Sequence, residues 1–159
     1  MTDSSSALAL DEERAVVVRL GKTEFGIDVR RVREVLRAPR ITRLPFPPPT
    51  ILGIVSIRGT LVPVVDLGER LLGTPADREG RLVVVRDPDR EGSIGLLVDA
   101  VLDLIPLQES PHEPPPEVEA TLPPGWILAV LAPESSRLVT LLELNHVLDL
   151  QNPAAEETR

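Results

Sequence analysis

Short apolar runs separated by turn residues set the rhythm of this chain. Val16 to Leu20, the turn Gly21-Lys-Thr23 and Glu24 to Val29 predict a hairpin, with glycine supplying the turn. Gly53 to Ile57, Arg58-Gly59 and Thr60 to Val65 predict a second. Val29, Val32, Val35 and Leu36 fall at i, i+3, i+6 and i+7 with arginines between them, which predicts one or two helical turns, basic outside and apolar inside. Asp66 to Leu72 predicts a short helix stopped at Gly73, with Glu143 to Leu150 as its counterpart and Asp66 placed to cap the first. Pro63 cannot donate to a ladder, so its strand is expected at an edge or bulged there.

These elements occur twice. Val16-Val-Val-Arg19, Phe25-Gly-Ile27, Val29, Val32 and Val35 return as Val83-Val-Val-Arg86, Ile94-Gly-Leu96, Val98, Val101 and Leu104. Ile54 to Ile57 and Leu61 to Leu67 return as Ile127 to Val130 and Leu138 to Leu144. The offset grows along the chain, as loop insertions make it do. Each unit holds about five short strands, too few for a two-layer sandwich, and closing them into a small barrel removes exposed edges. The fold class expected is all-β with short helices: one lobe at about 14–80, a second at about 81–151, exchange of a terminal strand between them left open, and a groove where they meet. Residues 1–13 and 152–159 are small or acidic and are expected to be frayed tails. The proline-rich stretch Pro111 to Pro124 is expected to be a semi-rigid loop of polyproline character.

Composition sharpens this picture. Hydrophobic residues make up 42% of the 159 but aromatics only 2%, so Val, Leu and Ile must build the core, which suits pleated sheets. There is no cysteine, which removes disulfides, thiolate metal sites and cysteine nucleophiles and suggests a reducing, cytoplasmic setting. No signal-peptide pattern opens the chain and no apolar run approaches the ~18 residues needed to cross a bilayer. The net charge of -8 disfavours non-specific nucleic-acid binding. That charge is unevenly spread: residues 14–58 carry ten Arg or Lys against three acids, a net of +7, and residues 87–159 carry three Arg against fourteen acids, a net of -11. Such polarity reads as two solvated faces of opposite sign or, more sharply, as opposite ends that dock different partners.

Catalytic chemistry finds little support. His112 and His146 have no second histidine at ligand spacing, Ser135-Ser136 has no nucleophile elbow, and no glycine-rich phosphate loop occurs. A nucleic-acid-binding barrel would need stacking aromatics, yet Phe25 and Trp126 sit in apolar runs that mark core strands, leaving only Phe46.

The run Gly53-Ile-Val-Ser-Ile-Arg58-Gly59-Thr-Leu-Val-Pro63-Val-Val-Asp66-Leu67 resembles the signature of the CheW-like domain: a glycine, a hydrophobic strand, Arg-Gly, a second strand holding proline, and Asp-Leu. Phe25-Gly-Ile27, Val32 with Glu34 and Val35, Ile41-Thr-Arg-Leu-Pro45, Pro48 and Gly95-Leu-Leu-Val-Asp99-Ala-Val101 follow the family's order. The resemblance covers about residues 14–150. It implies two five-stranded barrels resembling SH3 domains, no cofactor, and a non-catalytic adaptor. Its implied partners are the cytoplasmic tip of a chemoreceptor, the regulatory domain of a CheA-type histidine kinase, and other CheW-like subunits, with chemotaxis, surface motility or another output downstream. Carried over to this chain, the receptor contacts are Val32, Glu34, Gly53 and Arg58, with Gly59 at the same tip and Ile57 and Val62 beside it. Ser56 and Gly68 depart from the pattern, which more often has Asn and Arg there.

Overall fold

The computed structural model describes residues 13–37, 39–46 and 50–149; the expected tails, Glu13 apart, lie outside them. Strands β1 (Arg14–Leu20) and β2 (Thr23–Asp28) form the first predicted hairpin, with Leu20 opposite Thr23 across the Gly21-Lys22 turn. A single 3-10 turn, Val29–Arg31, leads into β3 (Val32–Arg37). Then follow β4 (Gly53–Ile57), β5 (Thr60–Asp66), helix α1 (Leu67–Leu72), β6 (Arg81–Arg86), β7 (Ser93–Val98) and β8 (Ala100–Pro106). Helix α2 (Pro116–Thr121), a second 3-10 turn (Pro124–Trp126), β9 (Ile127–Glu134), β10 (Arg137–Leu142) and α3 (Leu144–Val147) complete the chain.

The ten strands make two five-stranded sheets, ordered β8-β1-β2-β10-β9 and β3-β6-β7-β5-β4. Under the sequence repeat β1 corresponds to β6, β2 to β7, β3 to β8, β4 to β9 and β5 to β10, so the two orders are the same order. Even the register repeats, because Gly26 lies opposite Leu141 in a parallel pair and the equivalent Gly95 lies opposite Val64. Each sheet nevertheless takes two strands from one repeat and three from the other. The second sheet is the continuous span from β3 to β7, and the first joins β1 and β2 to β8, β9 and β10. A boundary near residue 80 therefore falls inside the second sheet, and two strands are exchanged rather than one at the terminus.

Both sheets also curl back on themselves by one device. The chain after β3 bridges to β4 at Thr42 and Ile54, with N–H···O distances of 2.8 and 2.9 Å. In the first sheet the chain after β8 bridges to β9 at Glu109 and Leu131, and the Ser110 amide donates to the Val130 carbonyl at 2.8 Å. β1 is buried on both faces. Val16, Val18, Phe25 and Ile27 join the large core shared with the second sheet, whereas Ala15, Val17, Ile105, Leu131, Val139 and Leu141 fill a smaller core of the first sheet's own. That is why Val16-Val17-Val18 is a continuous apolar run instead of an alternating one.

Helix ends knit the sheets together. The Asp66 carboxylate accepts from the Glu69 and Ala76 amides, each at 3.0 Å, and from Arg78 at 2.8 Å, so it caps α1 and fixes the loop that follows it. Glu143 caps α3 with one longer bond of 3.3 Å from the Asn145 amide. From α1, Arg70 donates to the Val147 and Asp149 carbonyls at 2.9 and 3.2 Å and lies 4.8 Å from the Trp126 ring centroid, a cation–π contact that joins the ends of the two sheets.

Four expectations are corrected here. The span from Val29 to Leu36 is one 3-10 turn and then a strand, not a helix; β3 pairs with β6 and carries an irregularity between Val32 and Glu34. That extra residue stretches the apolar spacing to three and imitates helical periodicity. Pro63 lies on an inner strand and not on an edge, and is accommodated because the parallel ladder from β5 to β7 begins only at Val64. The Pro111 to Pro124 stretch is not wholly polyproline-like: Pro116 starts α2, a position where its missing N–H costs nothing, and Val118 and Leu122 are buried. Trp126 is core, but it sits on a 3-10 turn and not in a strand. Among the described residues no helix is long and apolar enough to cross a membrane.

Candidate protein-binding site

The two edges of the second sheet meet where Glu34 projects from β3 and Arg58 from the β4–β5 turn. Ile57 pairs with Thr60, leaving Arg58 and Gly59 as a two-residue loop. Both have positive φ, 49° and 84°, the twist that suits a tight hairpin. Arginine is uncommon in that conformation, and its guanidinium ion-pairs with the Glu34 carboxylate. The pair bridges strands at opposite edges of the sheet order, so it reinforces the closure made at Thr42 and Ile54. It is also presented to solvent, with the Arg58 side chain 73% and the Glu34 side chain 27% exposed. The Glu34 carboxylate, through its hydrogen bond and its charge, raises the Arg58 pKa, and the guanidinium is a permanent cation.

The remaining expected contacts divide into two groups. Val32 and Ile57 are half-buried and pack against the large core, beside the ion pair. Gly53 is buried at the far end of β4, about 13 Å from the turn at the usual strand rise. A Cβ there would collide with the Thr42 carbonyl, so its smallness serves the closing bridge. Val62 is 3% exposed and packs in the core. Its neighbour Leu61 points outward at 66% exposure and had been missed, because the run Leu61-Val-Pro-Val-Val65 does not show which residue faces out.

Gly68, where the family pattern more often has arginine, has a local explanation. A Cβ there would collide with the Thr74 carbonyl; the loop held by Asp66 folds directly over it. Ser56 is exposed on β4, opposite Leu61.

The first sheet has a different charged clamp. Arg137, 19% exposed, donates to Glu24 at 2.7 Å and makes a two-pronged contact with Asp103 at 2.9 and 3.1 Å. The hydrogen bonds that it donates to Asp103 and Glu24 hold its pKa above the ordinary arginine value. At the crossing between sheets, burial tends to push the Asp28 carboxyl up, but hydrogen bonds and charge from Arg30 overcome it and hold the group below its usual range. Among the described residues no group of three or more His, Cys, Asp or Glu side chains is arranged to hold a metal.

An all-β body of two like sheets, bearing an exposed charged tip flanked by outward-facing Leu61 and Val35, defines a scaffold that acts through surfaces. The chain belongs to the CheW-like domain family, whose model matches residues 14–152. It is 31% identical over 144 residues to the "Probable chemotaxis protein CheW" of Rhizobium etli, covering 91% of this chain and 92% of that protein. It is 30% identical to the "Chemotaxis protein CheW" of Rhizobium meliloti, covering 92% and 94%. The crystal structure of the scaffolding protein TtCheW from Thermoanaerobacter tengcongensis superposes with a TM-score of 0.70 at 28% identity, covering 87% of this chain and 93% of that one. The protein is thus a chemotaxis-type scaffold and adaptor, not an enzyme.

Proposed function

We propose that this adaptor couples the cytoplasmic tip of a chemoreceptor to the regulatory domain of a CheA-type histidine kinase. The observation that carries the reading is the Glu34–Arg58 pair, a charged tip held out by the sheet closure at the positions where the family signature falls. The receptor tip meets Val32, Glu34, Ile57, Arg58 and Gly59, with the outward Leu61 as an apolar neighbour. Gly53 contributes by letting the closing bridge form. The kinase's matching domain packs on the exposed apolar strand surface of the first sheet, where Leu102 and Leu104 on β8 and Leu128 on β9 face out. Because the two sheets share one strand order, a further CheW-like subunit can use the equivalent surface on the other sheet, and such head-to-tail contacts close into rings.

The charge polarity of the chain makes this docking sensitive to salt. The test is a pull-down of purified receptor fragment and kinase by the full chain. Arg58→Ala and Glu34→Lys are expected to weaken receptor capture while kinase capture and thermal stability stay near wild type. Unchanged receptor capture by both variants overturns the site.

A further inference from the structure

The β6–β7 turn and Arg33 of β3 line an open depression of about 600 Å³, formed by Arg33, Arg86, Arg90, Pro88, Asp89, Glu91 and Gly92. Arg33 is oriented without being neutralised: its guanidinium donates to the Ser93 hydroxyl at 2.8 Å. Arg31 reaches the Arg86 carbonyl at 3.5 Å. Among the described residues, Arg30, Arg58, Arg78 and Arg137 all pair with carboxylates, whereas Arg33, Arg86 and Arg90 have no carboxylate within 4.0 Å, although Asp89 and Glu91 line the same cleft. Asp87 is occupied in shaping the turn, accepting from the Asp89 amide at 2.9 Å.

Single exposed arginines are ordinary. Three on one lining outnumber the two acids there, and guanidiniums bind carboxylates in a two-pronged fork. The two acids on the lining leave a net charge of only +1 and would repel a continuous polyanion. A short peptide whose carboxylates are spaced can meet the arginines and avoid the acids.

We propose that this cleft is a second protein-binding site, which takes an acidic segment of a partner chain with its carboxylates between Arg86, Arg90 and Arg33. It rests on the adaptor reading and adds to it the contact chemistry of a surface separate from the Arg58 tip.

The test is amide NMR of the full chain titrated with a short peptide alternating Glu and Gly, and with a Lys and Gly peptide of equal length. The Glu peptide is expected to shift Arg33 and residues 86–93, in a manner suppressed by added salt; the Lys peptide is not. Arg86→Glu with Arg90→Glu is expected to weaken the Glu peptide by about tenfold or more, and Arg86→Gln with Arg90→Gln by less. Both double variants should keep the wild-type amide dispersion elsewhere. Arg58→Ala is expected to leave this titration unchanged, so that failure of the receptor site and failure of the cleft are told apart. Shifts that are absent or fall elsewhere overturn the proposal. So does inorganic phosphate producing the same shifts at the same concentration, or a concentration-dependent dimer that the charge-reversed variant abolishes and the Glu peptide does not displace.

Discussion

The two sheets share strand order, parallel register and closing device, yet they dispose of their charge in opposite ways. In the first, Arg137 is drawn in between Glu24 and Asp103 and is mostly shielded. In the second, Arg58 is thrust outward on a hairpin tip with a single carboxylate beside it, and three further arginines face an open cleft. A common frame thus carries one arginine shielded between two acids and one presented to solvent. The frame repeats, and the residues at a few strand and turn positions make the asymmetry.

Matched substitutions can break that comparison. Phe25 of β2 and Ile94 of β7 occupy equivalent buried positions, and truncating either to Ala opens a cavity. Phe25→Ala is expected to cost about 3–5 kcal/mol and Ile94→Ala about 2–4 kcal/mol, read from urea unfolding midpoints; equal mild losses would mean that the cores are not close-packed. The equivalent caps come next. Asp66→Ala strands two amides and Arg78 and is expected to cost about 2–3 kcal/mol, against about 0.5 kcal/mol for Glu143→Ala. A reversal of that order would unseat the account of α1 as the firmer junction.

Arg137→Ala leaves two carboxylates facing each other without their cation and is expected to lose about 1–2 kcal/mol. Arg58→Ala, on the exposed tip, is expected to leave the melting temperature essentially where it was; thermal scans on both separate the shielded clamp from the presented one. The smallest effect is a gain. The Thr140 hydroxyl is buried without a hydrogen-bond partner among the described residues, so Thr140→Val is expected to stabilise by about 0.5–1 kcal/mol, and a measurable loss would show that the hydroxyl is engaged.

Much of the frame is legible in the residues. The repeat, the hairpins about Gly21 and Arg58, the helix that ends at Gly73 and the Asp66 cap all rest on local chemistry: a turn residue, a capping side chain, an apolar run. What failed depends on partners distant in the chain. β3 imitates a helix because its irregularity against β6 resets the spacing. Pro63 sits on an inner strand because the neighbouring ladder starts one residue later. Which halves share a sheet is settled by the pairing of β2 with β10 and of β7 with β5, and no local signal specifies it. For the candidate site, Arg58 and Glu34 came from the family signature, yet that they touch is known only from the closure of the sheet. Alternation alone could not choose between Leu61 and Val62, since an inner strand is apolar on both faces. The cleft lay hidden because Arg33 is 53 residues from Arg86 and only the β3–β6 pairing brings them together.

The exchange of strands between repeats also governs how the molecule can move. The chain passes from the first sheet to the second through Val29–Arg31 and returns through Asp99, so the two bodies are tied by two short covalent straps. Asp99 tightens the return strap, accepting from the Gly21 amide at 2.6 Å and the Asp77 amide at 2.7 Å. The straps act together with the large core that both sheets share, so bending one sheet against the other would have to open close-packed apolar contacts. A load applied at the Arg58 tip would therefore reach the first sheet as the displacement of one packed body.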